Sequence, residues 1–271
     1  MTRLKSSDVA NIGSQLEAYE AELIGKTGMT LLQIASLAAG VQEGDLRKAL
    51  ASASAAVIPI TAGEGIIERF ADAVCSIVRH LGCPAFVTEG TDVTGIAEAI
   101  RSGARILFMA DDQSFVAINL SSCAVADNAE ATGRGYAAAL SGMAGGLEGK
   151  PALVLGAGRV GRGALAFLKE MGAIPHVYDI NPEKAAGAAE ETGAALEADL
   201  ASALRRHRLI IDATPQAAFI GPGDLHPEAM IAAPGIPLGL TPEARAAFKE
   251  RLIHDPLQIG VAAMLAMASK P

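Results

Sequence analysis

The sequence predicts an α/β protein with an N-terminal helical lobe, a central, smaller parallel α/β unit and a C-terminal α/β unit. Short β-branched runs alternate with helical segments from about residue 55 onward, which is typical of parallel strands joined by crossover helices. A glycine-rich turn at residues 156–161 lies between an apolar run and a helix, which indicates a second such unit. We place the domain boundaries at residues 1–52, 53–147 and 148–256, with a C-terminal helix at 257–269 that joins the central unit.

The composition is that of a folded protein with aliphatic cores. Of the 271 residues, 51% are hydrophobic and 19% are charged, a balance that excludes an intrinsically disordered chain. The formal net charge of −8 argues against nucleic acid or an anionic membrane as a partner, because both are bound by basic surfaces. The basic run at residues 205–208 is interpreted as a solvated helix end.

Targeting and redox signals predict a soluble, cytoplasmic protein. No apolar segment follows the cations of the N-terminal MTRLKSSDVANIG, and no run of about 18 uncharged apolar residues occurs. Cys75, Cys83 and Cys123 match neither zinc-site nor CxxC spacing, so reduced thiols are expected. The histidines have no ligand spacing such as HExxH, so we expect no metal site.

Hydrophobic periodicity predicts the elements in order. Residues 6–25 begin with Ser and Asp as N-caps, carry apolar residues at helical spacing and end at Gly25. Further helices are predicted at 29–40, 43–53, 65–82, 91–103, 129–149, 162–172 and 257–269. Strands are predicted at 55–63, 84–90, 104–110, 115–120, 152–158, 174–179, 209–215, 230–235 and 252–255.

The GAGRVG segment predicts a dinucleotide-binding turn of the Rossmann type. A GxGxxG pattern alone is a weak signal, but here it follows the buried apolar run ALVL and leads into an amphipathic helix. Gly156 permits the tight turn, Gly158 allows close approach of a pyrophosphate, and Gly161 allows helix and strand to pack. The helix N-terminus then supplies N–H groups to the phosphates. The predicted cofactor-binding residues of this turn are Gly156, Ala157, Gly158, Arg159, Val160 and Gly161.

Asp179 favours NAD over NADP as the cofactor. It ends the next predicted strand, where an acid hydrogen-bonds the ribose hydroxyls and repels a 2′-phosphate. The alternative is that Asp179 merely caps the following helix. The Asn181-Pro182 pair already supplies an N-cap and a favoured first helical residue, which leaves Asp179 for the ribose.

Two later strand ends are further cofactor candidates. Ala213, Thr214 and Pro215 follow one buried strand, and Pro234 follows the next. Turn chemistry alone explains Pro and Gly at these positions equally well. This part of the chain contains neither a His-Asp pair nor a Tyr-xxx-Lys arrangement, so we interpret it as a cofactor platform.

The carboxyl ends of the central strands carry acids and hydroxyls. Ligands of parallel sheets bind at this edge, where residues 60–65, 88–89 and 111–112 are expected. Such an edge suits a substrate with ammonium groups. Glu64 and Glu89 offer further carboxylates for a metal, but nothing in the sequence requires one.

Several segments resemble the pyrrolysine synthase family, PylD, in order and spacing. They are IPITAGEGIIERF, SGARILFMADDQSFVAINL, LVLGAGRVGRGAL, VYDINPEK, IIDATP, APGIPLGLT and HDPLQIGVAAMLA. The resemblance covers nearly the whole chain from about residue 56. The GxGxxG turn is common to many dehydrogenases, whereas PITAGEGII and ARILFMADD are much more particular.

The resemblance implies an NAD-dependent oxidation of the ornithine-derived terminal amine of 3-methylornithyl-N6-lysine, with release of ammonia and ring closure to pyrrolysine. It also implies a homodimer acting on a small-molecule substrate. Two other readings stay open. One is an NAD-dependent dehydrogenase of another diamine or amino acid, and the other is a protein that senses NAD without turnover, since no catalytic dyad is visible.

The resemblance also assigns the substrate side. Asp111 matches the family's substrate-amine carboxylate, Thr61 and Ala62 lie in its substrate-contacting loop, and Asn128 matches a polar substrate contact. TAGEG departs here from the Ser or Thr-Ser-Gly sequence of some members, and Thr61 is assigned the hydroxyl contact. A carboxylate near an ammonium stabilises the charged form, whereas hydride loss needs the neutral amine. We therefore expect Asp111 to be catalytic as an anchor and charge stabiliser, and Asp112 to cap the strand end.

Overall fold

Two sheets with helices packed on them make up residues 4–270, which the computed structural model describes. The predicted α/β fold class is confirmed. Residues up to Glu22, Thr30–Ala131 and the residues from Pro256 form one compact unit, and Leu23–Met29 with Thr132–Asp255 form a second. The three-part domain division stays a prediction. Within residues 4–270, no helix has both the length and the apolar character needed to cross a membrane.

From residue 4 onward, four helices precede the first strand: α1 (Ser6–Val9), α2 (Ile12–Thr27), α3 (Leu31–Ala39) and α4 (Glu43–Ser52). The helix predicted for residues 6–25 is therefore broken near Ala10, and it continues past Gly25. It ends instead at Gly28, which adopts the left-handed φ of 69° and donates its N–H to the carbonyl of Ile24 at 2.7 Å. Such a glycine cap satisfies carbonyls that the helix leaves open.

The first unit contains a five-stranded sheet in the order β2-β1-β3-β4-β5. Its strands are β1 (Ala55–Ile58), β2 (Ala85–Val87), β3 (Ile106–Ala110), β4 (Phe115–Asn119) and β5 (Val125–Asp127). The predicted parallel pairing holds for β1, β2 and β3, but β4 runs antiparallel to β3, and β5 antiparallel to β4. The connection from β3 to β4 is too short for a parallel crossover, which needs a dozen residues or more.

The helix after β1 begins later than its periodicity predicts. Helices α5 (Phe70–His80) and α6 (Asp92–Arg101) connect the parallel strands, so residues 65–69 are not helical. Gly63 and Gly65 have φ values of 71° and 80°, and Arg69 has a φ of 66°. These left-handed residues interrupt a right-handed helix, and they leave an irregular loop after β1.

The second unit contains a parallel six-stranded sheet in the order β11-β10-β9-β6-β7-β8. Its strands are β6 (Pro151–Leu155), β7 (Ile174–Tyr178), β8 (Ala195–Leu196), β9 (Leu209–Asp212), β10 (Met230–Ala232) and β11 (Leu252–Ile253). The helices are α7 (Asn128–Ala144), which begins in the first unit, α8 (Arg159–Glu170), α9 (Pro182–Thr192), α10 (Leu200–Arg206) and α11 (Pro242–Ala247). Counted along the chain, this is the 3-2-1-4-5-6 order of a Rossmann sheet, with its switch point between β6 and β9.

The C-terminal helix α12 (Gln258–Ala268) returns the chain to the first unit. Ten of its 11 residues are buried, and it packs against α3, α5, β4 and β5. Asn119 of β4 donates its side-chain amide to the carbonyl of Ala268 at 2.8 Å. A helix that is apolar on all sides is expected to be enclosed in this way.

Candidate active site

The GxGxxG turn of the second unit has the geometry that a dinucleotide requires. Gly156 has a φ of 89°, and a Cβ on it would lie 2.9 Å from the carbonyl oxygen of Ala213. A Cβ on Gly161 would lie 1.8 Å from the carbonyl oxygen of Gly156, so helix α8 packs directly on the turn. Gly158 faces open space and begins α8 without a side-chain cap. The turn thus leaves helix N–H groups available beside an open position.

Asp179 braces this turn instead of capping the next helix. Its Oδ2 accepts the N–H of Ala157 at 2.7 Å, and its Oδ1 accepts the N–H of Asn181 at 2.8 Å. The cap of α9 is Asn181, as expected, with Pro182 in the first helical position. A carboxylate has about four acceptor sites, so Asp179 retains capacity for ribose hydroxyls.

Asp212 is a buried acid that the sequence reasoning missed. It ends β9, is fully buried, and accepts the N–H and the hydroxyl of Thr214 on Oδ1, at 3.1 and 2.7 Å. Burial raises the pKa of Asp212. Its backbone carbonyl accepts the N–H of Gly235, and Ala213 donates to the carbonyl of Leu155. A charged residue type at the end of an otherwise apolar strand was the available signal.

These contacts bring the later cofactor candidates to the GxGxxG turn. Ala213 lies against Gly156, and Thr214 is fixed by Asp212. A Cβ on Gly235 would lie 2.2 Å from the carbonyl oxygen of Thr214, so the turn that follows Pro234 packs on the Thr214-Pro215 loop. Strand ends β6, β9 and β10 therefore form one edge in the second unit, where the switch point of such a sheet binds ligands.

A His-Glu cluster in the second unit is an ion-pair network. His176 Nδ1 and His207 Nε2 lie 2.7 and 2.9 Å from Glu197 Oε1, and Arg206 binds Oε2. Burial alone would raise the pKa of Glu197, but the hydrogen bonds from Arg206 and His207 lower it to about 2. Burial lowers the pKa of His207. These atoms have the spacing of a three-ligand set, yet the carboxylate is already hydrogen-bonded by all three neighbours. The absence of a metal site stays a prediction.

The strand register of the first unit brings the candidate substrate residues to one edge. Ile58, Met109, Val116 and Asp127 lie in one row across β1, β3, β4 and β5. The predicted residues follow that row directly: Thr61 comes after β1, Asp111 after β3 and Asn128 after β5. Because β1, β3 and β5 run in the same direction, all three strands deliver their next residues to the same edge of the sheet.

Asp111 combines a fixed carboxylate with an apolar pocket. Its Oδ1 accepts the N–H groups of Gln113 and Ser114 at 2.8 and 2.7 Å. The backbone hydrogen bonds from Ser114 and Gln113 lower the pKa of Asp111, so it is ionised at neutral pH. Asp111 is the charged residue in the lining of a pocket of about 60 Å³, whose other walls include Ile66 and Phe115. Among the described residues, no hydrogen bond to its Oδ2 is found.

Asp112 has a partner outside its own turn. Its Oδ2 accepts the N–H of Glu64 at 2.6 Å across the loop after β1, while Asp111 accepts the amides of the turn. Thr61, in the same loop, donates its N–H and its hydroxyl to Asp92, at 2.9 and 2.7 Å. Both Thr61 and Ala62 are exposed. The local cap expected of Asp112 stays a prediction, and its contact with Glu64 joins residues 48 positions apart.

Comparison with known proteins decides the family. The family model described as "Pyrrolysine biosynthesis protein PylD, N-terminal domain" matches residues 8–126. Pyrrolysine synthase of Methanosarcina barkeri (strain Fusaro) is 31% identical over 265 residues, which cover 98% of this chain and 97% of the relative. The chain belongs to the pyrrolysine synthase family. The resemblance of the sequence to this family is confirmed, and membership supports a role in pyrrolysine biosynthesis.

Solved structures agree on the fold of this family member. Shikimate 5-dehydrogenase from Thermus thermophilus, in complex with NADP(H) and shikimate, matches with a TM-score of 0.52 and 21% identity, over 79% of this chain and 91% of that one. Quinate dehydrogenase from Corynebacterium glutamicum, in complex with NAD, matches with a TM-score of 0.54 and 14% identity, over 80% and 93%. At these identities the matches establish a dehydrogenase-type fold alone.

Proposed function

We propose that this protein oxidises the ornithine-derived terminal amine of 3-methylornithyl-N6-lysine with NAD, releases ammonia and closes the ring to give pyrrolysine. The observation that carries this proposal is the Asp111 carboxylate at an apolar pocket, in a member of the pyrrolysine synthase family. The second unit of the same chain carries a GxGxxG turn with open space at Gly158. Membership of the family is the ground for proposing this substrate, and the two sites are the ground for proposing this chemistry.

The substrate side fits an aliphatic chain that ends in an ammonium group. The pocket walls are apolar apart from the backbone and Asp111, and the low pKa of Asp111 keeps a negative charge there. Thr61 has its hydroxyl proton committed to Asp92, so its oxygen is left as an acceptor for an N–H group. Asn128 follows β5 at the same edge and is proposed as a further polar contact.

The cofactor side fits a dinucleotide, and we propose NAD. The N–H groups at the start of α8 suit the pyrophosphate, with Gly158 allowing close approach. Asp179 offers acceptors to the ribose hydroxyls and repels a 2′-phosphate. The proposed contacts of the adjoining loops are Ala213, Thr214, Pro215 and Pro234, and those of the turn are residues 156–161.

In this mechanism Asp111 holds the amine and stabilises positive charge. The chemistry supplied by bound NAD is acceptance of a hydride from the carbon that bears the amine. The bound ammonium first gives up a proton to water, and loss of the hydride from the neutral amine then leaves a cationic imine, which the negative charge of Asp111 stabilises. Water then hydrolyses the imine with loss of ammonia. The resulting aldehyde condenses with the neighbouring α-amine and loses water to form the pyrroline ring.

Incubation of the purified protein with NAD and 3-methylornithyl-N6-lysine tests the proposal. The expected result is formation of NADH together with a product of the mass of pyrrolysine. NADH without pyrrolysine from another diamine or amino acid would favour a different dehydrogenase. NAD binding without NADH from any of them would favour a sensing protein. The homodimer implied by the family resemblance is tested by light scattering on the same sample.

A further inference from the structure

The loop after β1 forms part of the Asp111 pocket. Residues 61–65 are irregular and mostly exposed, and Gly65 with the next residues, Ile66 and Ile67, lines the same pocket as Asp111. An exposed loop of this kind has no core of its own to fix it. The shape of the pocket therefore depends on whatever contacts hold residues 61–65 in place.

One contact comes from Asp92, at the start of α6. Both of its carboxylate oxygens bind Thr61: Oδ1 accepts the N–H at 2.9 Å and Oδ2 accepts the hydroxyl at 2.7 Å. The backbone N–H of Asp92 donates to the carbonyl of Pro59 at 3.0 Å, just before the loop. Asp92 has a φ of 53°, a left-handed conformation that Asp adopts more readily than most residues. The loop is thus fixed at its first residue from the α6 side.

The other contact comes from Asp112, at the turn after β3. Its Oδ2 accepts the N–H of Glu64 at 2.6 Å. A Cβ on Gly63 would lie 1.9 Å from that oxygen, so a glycine is required for the carboxylate to approach the backbone. Gly63 also needs its φ of 71°. The loop is thus fixed a second time, three residues later. Asp92 follows β2 and Asp112 follows β3, and these two strands lie on either side of β1.

We propose that Asp92 and Asp112 are positioning residues that together hold residues 61–65 against the Asp111 pocket and so set its affinity for the substrate amine. This inference rests on the proposed function, because it assumes that the pocket receives the amine. Asp111 and Asp112 then have different tasks: Asp111 faces the pocket, whereas Asp112 fixes the loop that borders it. Neither positioning residue lies in the unit that carries the GxGxxG turn.

The test compares Asp92→Ala, Asp112→Ala and the double variant with wild type. Calorimetry with 3-methylornithyl-N6-lysine is expected to show about tenfold weaker binding for each single variant, and more for the double variant, since hydrogen bonds to charged groups are lost. NAD affinity is expected to stay within about twofold, because the variants leave the cofactor unit untouched. Hydrogen exchange at the amides of Thr61 and Glu64 is expected to speed up.

Two matched variants separate positioning from general damage. Asp112→Asn keeps an oxygen that accepts the N–H of Glu64, so it is expected to restore substrate affinity. Glu68→Ala removes an exposed acid that lies shortly after this loop, and it is expected to leave substrate affinity unchanged. Failure of Asp112→Asn to restore binding, or an equal loss in Glu68→Ala, overturns the proposal.

Further outcomes identify which proposal fails. Faster exchange at Thr61 and Glu64 with unchanged substrate affinity overturns the positioning role and leaves the proposed function standing. Parallel loss of substrate binding, NAD binding and melting temperature means a merely structural role and also overturns it. If wild type binds the amine without turnover, the proposed reaction fails, while the binding series still decides the positioning role. If wild type does not bind the amine, both proposals fall.

Discussion

At the residue scale, aspartates at different strand ends acquire different tasks from their surroundings. Asp111 accepts two turn amides on one oxygen, which lowers its pKa and fixes its side chain, and the residue lines the pocket. Asp179 accepts two amides with both oxygens and braces the GxGxxG turn. Asp212 is enclosed, and burial raises its pKa. The residue type is the same in each case, and the hydrogen-bond partners and burial give each aspartate a different role.

Asp111→Asn is expected to lower kcat by about 100-fold or more, because the amide cannot stabilise a cationic imine as a carboxylate does. The asparagine oxygen can still accept the Gln113 and Ser114 amides, so folding and NAD affinity are expected to be close to wild type. Steady-state kinetics and NAD titration measure both. A parallel loss of NAD binding would show that the site is misassigned.

Asp179→Ala is expected to weaken NAD binding and to reduce the preference for NAD over NADP. The variant removes both the proposed ribose acceptor and the charge that repels a 2′-phosphate. The ratio of kcat/KM for the two cofactors is the measurement, with Asp199→Ala, at the cap of α10, as a control. An unchanged ratio would leave Asp179 with only its bracing role on Ala157.

At the element scale, close approach between backbone segments defines the GxGxxG turn. The N-terminus of α8 packs directly on the end of β6 because Gly161 has no side chain. The same helix begins at Gly158, where there is open space. Gly161 therefore allows the helix to pack on the strand, and Gly158 leaves the helix N-terminus open to a ligand.

Gly161→Ala and Gly158→Ala are expected to separate these two roles. A Cβ at position 161 would lie 1.8 Å from a carbonyl oxygen, so this variant is expected to lose about 1–3 kcal/mol of unfolding free energy. Gly158→Ala has room for its methyl group and is expected to change stability little while weakening NAD. Urea unfolding and NAD titration measure the two effects. Equal destabilisation by both variants would contradict the assignment.

The His-Glu cluster links β7, the end of β8 and the end of α10, and it is expected to make the protein sensitive to acid. His207 has a lowered folded pKa, so its contribution is present above its unfolded value of 6.5 and is lost as the pH falls. Glu197, with a folded pKa of about 2 against 4.5, loses its contribution between those values. Glu197→Gln is expected to flatten the lower part of the profile. Unfolding measured from pH 7 to pH 3 checks this, and an unchanged slope in the variant would refute it.

At the scale of the whole molecule, the chain contributes Leu23–Met29 to the second unit, builds most of that unit from Thr132–Asp255 and then returns to the first. The returning helix α12 is buried among α3, α5 and the antiparallel strands. The first unit is therefore completed by residues far from its sheet in sequence. The similarity to pyrrolysine synthase covers 98% of the chain, whereas the family model matches residues 8–126.

Truncation after Asp255 is expected to destabilise the first unit strongly, because it exposes the apolar faces that α12 covers. Truncation after Ser269 retains the helix and is expected to leave stability close to wild type. Thermal unfolding and the amount of soluble protein compare the two. Equal stability of both truncations would mean that α12 contributes little to the fold.

The sequence by itself determined the features that depend on neighbouring residues. The alternation of strands and helices, the GxGxxG turn and the cap at Asn181 follow from local pattern, because periodicity and turn chemistry act over a few residues. The tertiary structure alone decided that Asp212 is buried beside the GxGxxG turn. It also decided that Asp92 and Asp112 bind the same loop, although they lie 31 and 48 residues from their partners in it. Such contacts depend on how strands are ordered in the sheet, and no local pattern encodes that order.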